Sequence, residues 1–135
     1  MTGNVREREA GDSIAAVLRE CGAVLWTRDP ATLHFRYVSE GIEDILGYPS
    51  RCFIEDTQFW EDVIAPHERS ATISRLRELL EHGRIGCVDY CAIHANGSEI
   101  FLVDSIAAFG AEGIVAGVIS LARRKPVVVA ADAAG

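Results

Sequence analysis

Four cysteines, four histidines and the acid pairs Glu43-Asp44 and Glu61-Asp62 are residues of this chain whose chemistry could be catalytic, metal-binding or redox-active. Cys21, Cys52, Cys87 and Cys91 lack the short paired spacing of a zinc site. Cys87 and Cys91 are four apart in a strand-like segment, so they share one face roughly 13 Å apart. That separation is too long for a disulfide. A thiol redox sensor built on Cys87 or Cys91 is a conceivable chemistry, but no neighbouring basic residue is placed to lower a thiol pKa. His34, His67, His82 and His94 are scattered, and His82 reads as a cation near a helix C-terminus. The serines sit at caps and turns, no Gly-x-Ser-x-Gly elbow exists, and the glycines form no phosphate loop. Glu43-Asp44 and Glu61-Asp62 read as solvated helix faces. The expectation is therefore a protein that is not an enzyme and holds no metal.

The elements that would position these residues are legible from periodicity. After a polar flexible segment, residues 1–11, a helix over 12–21 carries Ile14, Val17 and Leu18 on one stripe. Ala23–Arg28 and Leu33–Ser39 read as two strands joined by a turn at Asp29-Pro30. Ile42, Ile45 and Leu46 then share a helical face, with Ser39 as the expected cap and Gly47 as the stop. Further helices are expected at Ser50–Ile54, from Phe59 after a cap at Asp56 or Thr57, and from Pro66 to about His82, ended by Gly83. The last helix carries Ile73, Leu76, Leu79 and Leu80 inward.

Three strands follow: Arg84–Ala95, Ser98–Phe109 and Ile114–Ala122. Asn96-Gly97 reads as a two-residue hairpin turn with positive φ at both positions. The order implies an α+β fold with one five-stranded antiparallel sheet, provided the end strands meet the first ones. Both faces of the last two strands are apolar, so both need cover. One domain over 12–125 and a tail over 126–135 are expected.

A net charge of −7 and dispersed arginines disfavour nucleic-acid binding. No apolar run is long enough to span a membrane. The charged N-terminus is not a secretory signal, so a cytoplasmic location is expected.

Four patches resemble the PAS sensor family: Tyr37–Pro49, Phe59–Arg69, Asp89–Asp104 and Gly113–Lys125. The first contains Tyr-Val-Ser followed by Ile-Leu-Gly-Tyr, and the second Phe-Trp followed by Ile-Ala-Pro-His-Glu-Arg. The resemblance implies an antiparallel sheet cupping short helices, a cavity and a dimer surface. On that basis the cup would be lined by Trp26, Tyr37, Ile45 and Trp60, together with Ile73, Leu76, Tyr90 and Ile106. Ile14, Val17 and Leu18 would contribute to a homodimer surface.

Departures from the family pattern bear on function. Ala65, Cys91, Asn96 and Phe101 replace common family residues, and Ser120-Leu121-Ala122 replaces the usual Asp-Ile-Thr before a signalling helix. Relay across a dimer or to a separate signalling protein is therefore the expectation. The long helix has no mid-helix histidine for haem, and Arg51-Cys52-Phe53-Ile54 lacks the Asn and Gln of the light-sensing flavin motif. The resulting expectation is a sensor of a small apolar or amphipathic ligand, with no haem or flavin. The alternative is a ligand-free dimerisation or adaptor module.

Overall fold

The computed structural model describes residues 13–82 and 85–126; Gly83, the expected helix stop, and the two terminal segments lie outside the described residues. Helix α1 covers residues 13–20. It is followed by β1 (Ala23–Arg28), β2 (Phe35–Val38), α2 (Gly41–Leu46), α3 (Ser50–Glu55), α4 (Phe59–Val63) and α5 (Arg69–Glu81). The chain then forms β3 (Gly86–Ile93), β4 (Glu99–Ala111) and β5 (Ile114–Arg124). The five strands make one sheet in the order β2-β1-β5-β4-β3, with every neighbour antiparallel. The condition set by the sequence is met by the β1–β5 pairing, which aligns Val24 with Ala122, Trp26 with Ser120 and Arg28 with Val118.

The short helices pack on one face of the sheet. Ile42, Ile45 and Leu46 of α2, Phe53 of α3, Trp60 and Val63 of α4 and Leu76 of α5 join the inward residues of the strands in one core. Helix α2 ends as its sequence dictates: Gly47 takes φ 80°, and its N–H bonds to the Glu43 carbonyl at 2.9 Å. Its start differs from expectation. Glu40 occupies the cap position, and the Ser39 hydroxyl instead accepts the Leu25 N–H of β1 at 2.9 Å. Ser39 thus ties the helix entrance to the sheet. At the start of α4 Gln58, not Asp56 or Thr57, occupies the cap position without a side-chain cap bond, and the Asp56 carboxylate instead accepts the Gln58 N–H at 3.0 Å in the preceding turn.

The Asn96-Gly97 turn differs from expectation. At Asn96-Gly97 only Gly97 has positive φ, 90°. Gly97 N–H bonds to the His94 carbonyl and His94 N–H to the Ser98 carbonyl, both at 2.8 Å. This closes a three-residue loop, a tight turn followed by a left-handed glycine. The two-residue turn with paired positive φ lies instead at Glu112 (55°) and Gly113 (77°), between β4 and β5.

A bulge in the β1–β2 pairing has larger consequences. Tyr37 stands opposite Thr27 and Phe35 opposite Arg28, leaving Arg36 as the extra residue. Phe35 and Tyr37 would share a face in a regular strand. The bulge sends Phe35 inward and Tyr37 to the opposite side.

Gly97 has open space where a Cβ would stand, so a substitution there meets only the backbone penalty of positive φ. Gly97→Val is expected to cost about 1–2 kcal/mol and to lower the melting temperature by about 3–6 °C. Thermal unfolding followed by circular dichroism measures this.

Candidate functional site

Strand alternation places Trp26 and Arg28 of β1, Tyr90 of β3, Leu102, Asp104 and Ile106 of β4, and Ser120 of β5 in one inward layer. Arg28 is the unexpected member. It is 1% exposed, and its guanidinium lies 4.1 Å from the Phe35 ring centre and 4.0 Å from that of Trp60. Trp26 stacks on Phe35 at 5.0 Å, and Phe53 meets Phe35 edge-on at 6.0 Å. The cation therefore contacts two near-perpendicular rings inside a larger aromatic cluster.

Asp104, also 1% exposed, anchors a polar chain beside it. Trp26 Nε1–H donates to Asp104 Oδ1 at 3.1 Å, and the Tyr90 hydroxyl donates to Oδ2 at 3.4 Å. Trp60 Nε1–H in turn donates to the Tyr90 oxygen at 3.3 Å. Arg28 Nη1 donates to the Leu33 carbonyl at 3.4 Å, while its Nε and Nη2 have no partner. The Ser120 hydroxyl is likewise buried and unpartnered. Leu33 holds φ 64°, unusual for a leucine, at the backbone position that offers this carbonyl.

Burial dominates the electrostatics. It pushes the Asp104 carboxyl up to about 6, against the opposing pull of Arg28 and the hydrogen bonds from Trp26 and Tyr90. Burial also lowers Arg28, partly offset by the charge of Asp104. The Tyr90 hydroxyl is raised well above its ordinary value by burial and then by Asp104.

Of the residues expected to line the cup, Trp26, Ile45, Trp60, Leu76, Tyr90 and Ile106 are buried in the core, and Ile73 packs partly buried against it. Tyr37 is not with them. The β1–β2 bulge turns it outward, 37% exposed, where it lines a groove of about 550 Å³ with Arg19, Glu40 and Ile54. Sequence reasoning missed Arg28, Phe35, Asp104 and Ser120. Their signal was positional: Val24-Trp26-Arg28 and Leu102-Asp104-Ile106 each put a charge in phase with buried apolar residues.

The cysteines and histidines do not converge. Cys87 and Cys91 lie on the outward face of β3, and burial, with a hydrogen bond to Glu99, pushes the Cys91 thiol up to about 11. That is opposite to the shift a reactive thiolate needs. His34, His67 and His82 are exposed and His94 is half-buried, and no metal-binding cluster occurs among the described residues.

A family model described as PAS fold matches residues 35–122, and the chain belongs to that family. The fold is similar to the N-terminal domain of a diguanylate cyclase with a PAS/PAC sensor from Marinobacter aquaeolei. That match has 22% identity and a TM-score of 0.69, and it covers 76% of this chain and 94% of that one. It is also similar to a light-oxygen-voltage domain at 19% identity and TM-score 0.66, covering 84% of this chain and 85% of that one. A sensory box histidine kinase/response regulator from Burkholderia thailandensis matches at 20% identity and TM-score 0.64, with 82% of each chain covered. None of the curated proteins matches.

The raised Asp104 carboxyl fixes a pH dependence. A group protonated more readily when folded stabilises fully below its unfolded pKa, and that contribution is lost as pH rises through about 6. The loss is on the order of 3 kcal/mol. Asp104→Asn should remove this slope. Urea unfolding of both proteins between about pH 4 and pH 7.5 reads the difference, since every other titrating group is common to both.

Proposed function

We propose that this chain is a sensory PAS module, not an enzyme, that admits a small amphipathic ligand to its cup and relays through a dimer or a separate signalling protein. The observation that carries this reading is the buried Arg28, left with two unpartnered nitrogens at the centre of an aromatic cluster. A core that only holds a fold together has little use for an unsatisfied ion, whereas small-molecule sites are apolar cups with a few polar groups. Haem and flavin are not expected: no described histidine is buried in the cup, and Arg51-Cys52-Phe53-Ile54 lacks the Asn and Gln of the light-sensing flavin motif.

The outward sheet face supports the relay. Phe101, Phe109 and Ile119 are 55%, 47% and 39% exposed, beside an apolar groove of about 360 Å³ lined by Leu18, Leu25, Ile85, Ala107, Ile119 and Leu121. Helix α1 covers this face only in part. Leu18 reaches the groove, Ile14 and Val17 stay exposed, and Arg19 ties the helix to Asp44 of α2 at 2.7 Å. An apolar sheet face flanked by an apolar helix stripe fits a second copy of the chain. Ligand would favour one packing of helices on the sheet, and β5 would pass the change outward, since Val118 and Ser120 alternate with Ile119 and Leu121. No described helix is long and apolar enough to cross a membrane. The net charge of −7 supports protein or small-molecule partners rather than nucleic acid.

The filled cup favours a second reading, a ligand-free adaptor, and Ala108 separates the two. It lies inward opposite Val118, whereas Ala107 lies outward opposite Ile119. Ala108→Phe should cost about 1–3 kcal/mol in a rigid packed core, and less if the cup opens for ligand. Sedimentation of wild type should give a dimer at high micromolar concentration, and Ile119→Arg a folded monomer. A monomeric wild type would remove the dimer relay. The purified protein should show no visible absorption band of haem or flavin.

A further inference from the structure

We propose that the ligand group recognised in the cup is a carboxylate, gripped side-on by the Nε–Nη2 edge of Arg28; this rests on the sensor reading above and supplies its chemistry. A guanidinium has two faces and a rim of five N–H donors. Phe35 and Trp60 lie 4.1 and 4.0 Å from the guanidinium with their ring planes 83° apart, and Nη1 is committed to the Leu33 carbonyl. The two nitrogens left without a partner are the pair whose N–H bonds run parallel from one edge. That fork matches the two oxygens of a carboxylate and no single acceptor equally well.

Asp104 does not fill the fork. Its two oxygens accept from Trp26 and Tyr90, and it makes no hydrogen bond to Arg28. The second unpartnered group lies in the same layer. Ser120 is opposite Trp26 on β5, two residues from Val118, which is opposite Arg28. Its hydroxyl can donate to a carboxylate oxygen. The surrounding rings suit a small apolar body on the same molecule.

The ionisable groups acting on Arg28 are Asp104 from β4, Tyr90 from β3 and Glu61 from α4. A bound carboxylate puts a second negative charge near Asp104, so Asp104 takes up a proton as the ligand enters. Binding therefore tightens as pH falls through the range where Asp104 titrates.

The test titrates the full chain with acetate and benzoate, against chloride and neutral benzyl alcohol at matched ionic strength. Tryptophan fluorescence and the melting temperature report binding. The carboxylates should raise the melting temperature and bind about tenfold more tightly at about pH 5.5 than at about pH 7.5. Arg28→Lys keeps a charge but loses the fork, and should weaken carboxylates by about tenfold or more while leaving benzyl alcohol unchanged. Asp104→Asn should bind carboxylates more tightly at about pH 7.5 and lose the pH dependence. If Arg28→Lys does not fold, an unchanged affinity and pH slope in Asp104→Asn overturns the proposal by itself. Equal binding of benzoate and benzyl alcohol, or an equal effect of chloride, also overturns it. Benzyl alcohol binding with no carboxylate preference would leave the sensor reading standing. No binding by any probe would remove both.

Discussion

One guanidinium buried among aromatic rings sets the terms for the interior of this domain. Moving such an ion out of water costs several kcal/mol even after relaxation. Two desolvated cation–π contacts return about 2 kcal/mol or more each, which requires both Phe35 and Trp60 to stand close to Arg28. Those rings come from β2 and α4, and the cation from β1. Trp60 also donates to Tyr90 of β3, Tyr90 to Asp104 of β4, and Asp104 accepts from Trp26 back on β1. Four strands and one helix are thus keyed to a single charge and its partners. The β1–β2 bulge belongs to this arrangement, because it turns Phe35 inward beside Arg28.

The edges of the sheet are occupied, whereas part of its outward face is exposed. Strand β3 is an edge strand, but its backbone is engaged around Cys91: the N–H bonds to Glu68 Oε2 at 2.6 Å, and the carbonyl accepts the Ala65 N–H at 2.9 Å. Ile64 also bridges to Ala92. An edge occupied in this way is a poor template for a further strand. On the β2 side, Arg36 reaches across to the Ala116 carbonyl and pairs with Asp29. The outward face of β4 and β5 keeps its large apolar side chains exposed instead.

Most of the fold was legible because period and punctuation agreed. The two-residue alternation of the strands, the Ile42-Ile45-Leu46 stripe and the Gly47 stop each appear where physics puts them. Strand ends moved by at most two residues; Leu33 and His34, for example, belong to the turn before Phe35 rather than to β2. The type of the Asn96-Gly97 turn was misread because Asn-Gly accepts several loop geometries, and Glu112 is no sequence signal for the positive φ it takes. The site was half legible. Its rings could be assigned to the cup from the helical and strand stripes, but with both sheet faces apolar the pattern does not say which phase points inward. Without that phase, Arg28 at a strand end and Asp104 within an apolar strand read as ordinary solvent-facing charges. The bulge that misplaced Tyr37 leaves no mark in Phe-Arg-Tyr-Val at all.

The energetics of the buried charge bear on the choice between sensor and adaptor. Replacing a buried ion and its partners by well-packed apolar residues is often neutral or stabilising, so an adaptor needing only a rigid core gains nothing from Arg28. A sensor gains two things. The unpartnered fork offers a ligand far more than a methyl-lined cavity would, because the desolvation of the cation has already been incurred in folding. The same cation makes the interior responsive, since a negative group entering beside Asp104 changes the protonation and contacts of a chain that runs through Trp26, Tyr90 and Trp60. Trp26 pairs with Ser120, and Ser120 sits between Ile119 and Leu121 on β5. A shift in the cup therefore has one short covalent route to the outward face, through the strand at the middle of the sheet.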